Sequence, residues 1–383
     1  MTNIMLIAID GFEASADSRV GVGRWEVELL KHLAGIDHKN SYRIYTPRPP
    51  QRDLPPETKH WRYRVCSFSR LWSQVALPYY LLKDRPRPDV FFAPVHYAPR
   101  FCPVPTVVGI MDLSFIHFPD LFRRSDWYKL QNWTSYSIRK ARAVIAISKA
   151  TKRDILKTYQ VTPDAVTVIY PGVETGFKPV STGNMNRIHT KYGIRGDYIL
   201  YVGTLQPRKN LVRLIDAFKQ IIHSQKSATN LQLVIVGKKG WLYDEIFRKV
   251  KKEGLESNII FTGFVPDEDL PSFYAGAKCF CLVSLYEGFG FPVLEAMHAG
   301  TPVVASNVSS LPELVGDAGV LVDPGSVEDI TRGIREVLTM PASQREQLIE
   351  KGKKQAGKFT WEKAARETLS VLEKVAKDST NYE

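Results

Sequence analysis

The sequence predicts the α/β class, with two successive domains each built on a parallel sheet. Three observations carry this. NIMLIAID is an apolar strand that runs into a glycine-bearing loop and then RWEVELLKHLAG, where Trp25, Leu29, Leu30 and Leu33 recur at helical spacing. The same strand, loop and helix order restarts in the second half with DYILYVGTLQPRKNLVRLIDAFKQII, whose Leu211, Leu214, Ile215 and Phe218 share one face. DVFFAP and PTVVGIMD are apolar throughout and of strand length, as expected of parallel strands covered on both faces.

Length and composition fit that class. A chain of 383 residues is long enough for two ordinary domains, and 44% hydrophobic with 24% charged residues is a globular balance. Of the four cysteines, only Cys279 and Cys281 are close in sequence, inside an apolar FCLV run that reads as buried strand, and this usage suits a reducing cytosol. No stretch is long and apolar enough to span a membrane, and MTNIMLIAIDG reads as a first strand rather than a signal peptide. The net charge of +12 is uneven: residues 1–180 carry 26 basic against 16 acidic side chains, the remainder 26 against 24. A basic first half suits an acidic acceptor or an anionic membrane face. A nucleic-acid partner is not expected, because no helix-turn-helix, RNP or zinc pattern accompanies the charge.

Taken in order, YRIYTP and HWRYRVCSF are the next two strands. Residues 60–87, with RLWSQVALPYYLLKDRPRP, mix bases with Trp, Tyr and Leu. That pattern fits either a membrane-surface element or a half-buried helix with snorkelling bases. Asp112 ends the PTVVGIMD strand, at the carboxyl edge where α/β sheets take ligands. Ser148 is placed to cap the helix that follows AVIAIS. VTVIYPGVE closes the first domain, and the polar, turn-rich 176–196 reads as a linker with a short helix. The boundaries predicted are 1–180 and 181–359. In the second half, Arg208 and Lys209 lie just before a helix N-terminus, a good clamp for a diphosphate. Asp267-Glu268-Asp269 spells a metal-binding pattern, but sits where a helix N-terminus favours acids, so no metal is assigned. SVEDITRGIREVLTM and WEKAARETLSVLEKVAK are amphipathic helices.

The stretch around which the chain is organised is YEGFGFPVLEAMHAG, residues 286–300. Gly288 and Gly290 let a ligand approach main-chain amides, Pro292 suits a first helical position, and Gly300 ends the helix. Glu295 is expected in or near the first turn. Two acids, Glu287 on the loop and Glu295 on the helix, can meet different parts of one elongated ligand.

This stretch, with GVGR at 21–24, GTLQPRKN at 203–210 and GFV at 263–265, resembles retaining glycosyltransferases of family 4, across nearly the whole chain. The resemblance implies a GT-B fold: two Rossmann-like domains facing a cleft, with a final helix, about 360–377, crossing back to the first domain near Phe359-Thr-Trp361. It implies that Glu287 and the amides of Gly288, Phe289 and Gly290 hold the donor sugar, and that Glu295 binds the nucleotide ribose. Arg208 and Lys209 would hold the diphosphate, with Gly203 before them. Gly263, Phe264 and Val265 would line the base pocket, and the Gly21-Val-Gly23 turn would face the diphosphate and acceptor. Asp112 is carried over as catalytic, but the family's His-Asp is Met111-Asp112 here. Either a nearby group such as His117 or His96 substitutes, or the sugar is handled differently, or activity is impaired.

The function implied is metal-independent transfer of a hexose from a nucleotide sugar to a hydroxyl with retention. No cofactor is required beyond the donor substrate. IMDLSFIHFPDLF, YPGVE and VGKKGW resemble the mannosyltransferase branch in polysaccharide or O-antigen synthesis, making GDP-mannose the expected donor and a UDP-hexose the alternative. The acceptor implied is a glycan or lipid-linked glycan, and the setting is cytoplasmic, peripheral to an anionic inner membrane face. A nucleotide-sugar epimerase and a non-catalytic nucleotide-sugar-binding protein are the rival readings. The oligomeric state is left open.

Overall fold

The computed structural model describes residues 4–17, 19, 21–173, 181–224 and 230–380. The chain divides into two compact units, Met1–Gly172 with Phe359–Glu383, and Val173–Lys358.

The first unit is built on strands β1 (Leu6–Asp10), β2 (Ser41–Thr46), β3 (Trp61–Val65), β4 (Val90–Ala93), β5 (Thr106–Ile110), β6 (Ala143–Ala146) and β7 (Val166–Val168). Their order is β3-β2-β1-β4-β5-β6-β7 and every pairing is parallel. β4 and β5 are buried along their whole length, which is why both read as unbroken apolar runs. Succession along the sheet reverses between β1 and β4, so the loops leaving those strands diverge and open a crevice at their carboxyl ends. The helix Gly21–Ile36 buries Trp25, Leu29, Leu30 and Leu33 as predicted. The last helix, Trp361–Thr380, packs along it, with the His32 and Trp361 rings stacked at 6.3 Å. Ser148 caps the helix Lys149–Tyr159, its Oγ accepting from the Thr151 amide at 3.0 Å.

The 60–87 segment follows β3 through the wide turn Trp72–Ala76 into the helix Leu77–Lys83. One face buries Trp72, Ala76, Leu77 and Leu81, while Phe68, Leu71, Val75, Tyr79 and Leu82 remain exposed beside Arg70, Lys83, Arg85 and Arg87.

The second unit contains β8 (Tyr198–Val202), β9 (Gln232–Val236), β10 (Ile259–Gly263), β11 (Cys279–Leu282), β12 (Val303–Ser306) and β13 (Val320–Val322). The order is β10-β9-β8-β11-β12-β13, again all parallel, with the reversal between β8 and β11. Leu211, Leu214, Ile215 and Phe218 of the helix Leu211–Ser224 form its core with Cys279 and Cys281, as the sequence indicates. The short helix expected within 176–196 is Thr182–Tyr192; residues 176–180 of the expected linker lie outside the described residues.

Asp269 serves a different purpose from the one expected. It sits at the N-cap position of the helix Leu270–Gly276, yet its side chain makes no cap bond. The carboxylate is held instead by Arg187 at 2.5 Å, Lys191 at 2.7 Å and the Tyr192 hydroxyl at 3.2 Å. Charge-assisted bonds to two cations outcompete a backbone amide, and they fasten the Thr182–Tyr192 helix to its unit.

Candidate active site

Beyond β11 the chain turns sharply into the helix Phe291–His298, with Pro292 in its first turn as predicted. Gly290 makes that turn with φ +126°, and a Cβ there would stand 2.7 Å from Leu311 Cδ2, so only glycine fits. The loop is pinned from one side. The Glu287 amide donates to Ser309 Oγ at 2.9 Å, and the wholly buried Ser310 hydroxyl donates to the carbonyls of Glu287 and Phe289. The helix ends at His298, and Gly300 (φ +79°) releases the chain.

The loop after β8 lies against this one. Pro207–Lys209 form a single tight turn, and Asn210, buried at φ +61°, donates to the carbonyls of Val283 at 2.9 Å and Pro324 at 2.8 Å. The Leu285 amide donates to the Arg208 carbonyl at 2.9 Å. The two loops of the β8/β11 reversal are thereby joined through main chain and amide, which fixes where their side chains point.

Those side chains form one cluster. Glu287 is only 6% exposed. Lys209 Nζ lies 2.5 Å from its Oε1, Ser284 Oγ donates to the same oxygen at 2.7 Å, and Arg208 Nη1 lies 3.5 Å from Oε2 while donating to the Tyr286 carbonyl at 2.6 Å. Burial pushes the Glu287 carboxyl up, but the charges of Lys209 and Arg208 and the bonds from Lys209 and Ser284 outweigh it and hold the group below its ordinary value. The cluster holds two cations and one anion, an excess of positive charge at the carboxyl edge of the sheet. The sequence placed Arg208 and Lys209 as a clamp and Glu287 as a separate sugar contact; the structure brings all three together.

The other candidates of this unit lie along the same edge. The Gly203 amide donates to the Val236 carbonyl, and the Gly237 amide to that of Gly263, both at 2.9 Å. Strand ends approach so closely here that a Cβ on Gly237 would lie 2.0 Å from the Gly203 oxygen. Val265 turns into the core, whereas Phe264 is exposed and carries Lys238 Nζ 4.5 Å above its ring. Glu295 is the fifth residue of its helix, next to the first turn as expected, and accepts from the Tyr274 hydroxyl at 2.6 Å.

In the first unit, Gly21 and Gly23 open the helix Gly21–Ile36 rather than forming a separate turn. Asp112 follows β5, and its Oδ1 accepts from the Ser114 amide at 2.9 Å and the Ser114 hydroxyl at 2.7 Å. Of the two imidazoles weighed as substitutes at Met111, His117 is paired with Asp154 at 3.0 Å. His96 is the one that feels Asp112: burial pushes its imidazole down, and the Asp112 carboxylate acts in the opposite sense. Sequence reasoning missed three acids of this unit, Asp10, Glu13 and Glu26, which gather around a cavity at the β1/β4 reversal. The available signals were an acid at the carboxyl end of the first strand and a second one, Glu26, set between the apolar Trp25 and Val27.

The profile of Glycosyl transferases group 1 matches residues 185–355, and that of Glycosyltransferase Family 4 matches residues 20–177. The chain is 30% identical over 366 residues to the O-antigen chain mannosyltransferase B of Escherichia coli, covering 92% of this chain and 95% of that one. It is 31% identical over 243 residues to the serotype-specific mannosyltransferase WbdA of Escherichia coli, which covers 63% of this chain and 30% of WbdA. Among solved structures, sucrose-phosphate synthase from Thermosynechococcus elongatus matches with a TM-score of 0.76 at 19% identity, over 97% of this chain and 99% of that one. With a seven-stranded and a six-stranded parallel sheet in two Rossmann-like units, and a relative matched nearly end to end, the chain belongs to the family 4 glycosyltransferases and has their GT-B fold.

Proposed function

We propose that this glycosyltransferase moves mannose from GDP-mannose to a hydroxyl of a glycan or lipid-linked acceptor, with retention of configuration, in the assembly of a polysaccharide such as an O-antigen. The observation that carries the reaction is the Glu287, Lys209 and Arg208 cluster at the β8/β11 reversal, the place where an open α/β sheet takes its ligand. A departing nucleoside diphosphate gathers negative charge on its leaving oxygen. Two cations already oriented by a buried carboxylate can offset that charge without reorganising, which is the largest contribution such a site can make. In this reading the amides of Gly288, Phe289 and Gly290 and the Glu287 carboxylate face the sugar, and Glu295 takes the ribose. Phe264 offers a flat face to the base beside Gly203, Gly263 and Val265, while Asp112, with Gly21 and Gly23, serves the first unit's side of the reaction. Met111 has no proton to give, so His96 is the imidazole available near Asp112.

The sugar rests on the relatives, since a mannosyltransferase is 30% identical over 92% of the chain. The exposed aromatic and basic face around Leu77–Lys83 suits an anionic membrane surface, and the enzyme would work there from the cytoplasmic side. Among the described residues no helix is long and apolar enough to cross a membrane.

A thermal-shift panel of GDP- and UDP-sugars tests the donor. A ligand at a hundred times its dissociation constant adds ~2.7 kcal/mol. GDP-mannose should shift the transition and UDP-glucose should not; the reverse result replaces the donor by a UDP-hexose. Product formed from GDP-mannose without any acceptor would overturn transfer in favour of epimerisation.

A further inference from the structure

The cavity at the β1/β4 reversal plays no part in donor binding as proposed above. It encloses about 220 Å3, on the scale of a single sugar ring, and its walls include Asp10, Glu13 and Glu26 together with Trp72, Tyr97 and Trp133. Three features mark it as built for a ligand. Glu26 is 1% exposed; its Oε2 accepts from the Ala14 amide at 3.1 Å and the Glu13 amide also favours the ionised carboxylate, while its buried Oε1 has no hydrogen bond of ordinary geometry among the described residues. A buried carboxyl oxygen without a donor is costly, and a bound hydroxyl would relieve it. The aromatic side is ordered: Trp72 Nε1 donates to Asp10 Oδ1 at 2.7 Å, and Tyr97 and Trp133 pack edge to face at 5.5 Å. A concave site with apolar rings and a few convergent polar groups is the usual form of a small-molecule pocket.

The third feature is charge. Residues 1–180 are strongly basic, yet no Lys, Arg or His is among the described residues that line this cavity. Burial raises the Asp10 carboxyl to about 7 against the bonds from Trp72 and the Phe12 amide. Burial, and then the neighbouring Asp10 and Glu13, also raise the Glu26 carboxyl above its ordinary value. An Asp10 carboxyl that retains its proton up to about pH 7 donates as well as accepts, which suits a hydroxyl. Above that pH a phosphate or carboxylate would enter against the ionised Asp10, with no cation among the described lining residues to receive it.

We propose that this cavity is a subsite for an uncharged sugar ring of the acceptor, with Glu26 and Asp10 bonding its hydroxyls and the aromatic rings taking its C–H face, and that it rejects phosphorylated or otherwise anionic sugars. The proposal rests on the glycosyl-transfer reading above.

The test uses ligand-observed NMR on the full chain without donor, at pH 8. The probes are the methyl glycosides of mannose, glucose, galactose and N-acetylglucosamine, alongside the 6-phosphates of the same sugars. At least one uncharged glycoside should bind, and its phosphorylated counterpart should bind at least about tenfold more weakly. The Asp10→Asn, Glu26→Gln double variant should narrow that gap to within about threefold, while its thermal shift with GDP-mannose stays that of the wild type. Should the double variant not fold, Glu13→Gln, at a half-buried position, gives the same comparison. Phosphorylated sugars binding as tightly as uncharged ones, no glycoside binding, or discrimination surviving the substitutions each overturn the subsite. Nucleotide sugars that shift the transition while glycosides fail to bind would sink the subsite alone. Glycosides that bind while no nucleotide sugar does would sink the donor assignment alone.

Discussion

Replacing Lys209 with alanine removes the nearer of two cations from a buried carboxylate, and its cost can be worked from the cluster. At an effective dielectric of 20, a charge 2.5 Å away attracts with ~6.6 kcal/mol and one 3.5 Å away with ~4.7 kcal/mol, so Lys209 outweighs Arg208 in gross terms. Desolvation offsets much of both, and stripping one partner from a buried pair costs ~3–5 kcal/mol net. The Ser284 bond remains in place. The pH dependence has a definite sign. In the wild type the folded Glu287 carboxyl lies below its unfolded value, so its contribution is present above the unfolded value and fades as pH falls. Without Lys209, burial dominates and the folded group moves upward, so the variant's deficit should be greatest at pH 8 and shrink towards pH 5 as Glu287 takes up a proton. Urea unfolding at both pH values, in a double-mutant cycle with Glu287→Gln, measures the deficit and the coupling. A loss below about 1 kcal/mol at pH 8 with no coupling would mean that the pair behaves like a solvated surface contact, and the reasoning would fail.

Arg208→Ala and Lys209→Ala should mainly lower kcat, and Glu295→Ala mainly raise KM for the donor; intact turnover in Arg208→Ala would refute the clamp. Gly290→Ala forces an L residue to φ +126° and into Leu311, so a calorimetric loss of at least ~2 kcal/mol is expected. Asp10 is protonated in the fold up to about pH 7 but ionised earlier when unfolded, so wild-type stability should fall as pH rises through that window. Asp10→Asn should then gain stability at pH 8, by up to ~4 kcal/mol, and show no gain at pH 4 in thermal melts. Exchanging Lys83, Arg85 and Arg87 for glutamate should weaken co-sedimentation with anionic vesicles by at least ~1 kcal/mol per base, and leave neutral vesicles unaffected.

The strands were legible because both sheets are parallel and covered. β4, β5, β8, β9, β11 and β12 show as apolar runs whatever surrounds them, and the helix Leu211–Ser224 shows as a four-residue apolar face. Two helices were passed over for the converse reason. Arg124–Lys140 buries Thr134, Ser137 and Ile138, and Ala342–Ala356 buries little beyond Gly352 and Ala356, so neither has an apolar stripe to detect. At the site, residue types and spacing were enough to single out Arg208, Lys209 and Glu287. Their mutual pairing was not, because 78 positions separate Lys209 from Glu287 and only the β8/β11 adjacency brings the two loops together. The same holds for Asp10 and Glu26: their sequence positions hint at burial, but only the fold shows that they line one cavity.

Sheet order decides where each unit can bind, and loop residues decide what. Both units reverse their strand order once from a central strand, between β1 and β4 and between β8 and β11, and each has its candidate site at that reversal. At one the loops deliver Arg208 and Lys209 around a single acid; at the other Asp10 and Glu13 join Glu26 with no cation among the described lining residues. The overall charge of a unit does not set the sign of its site, since the acidic cavity lies in the more basic half of the chain. A polyanionic nucleotide sugar is therefore favoured by the second unit's edge and disfavoured by the first unit's cavity, and an uncharged sugar has no such bar. That asymmetry is what the proposed transfer from a charged donor to an uncharged acceptor would use, and it predicts that exchanging the sign of either site would abolish its ligand without disturbing its sheet.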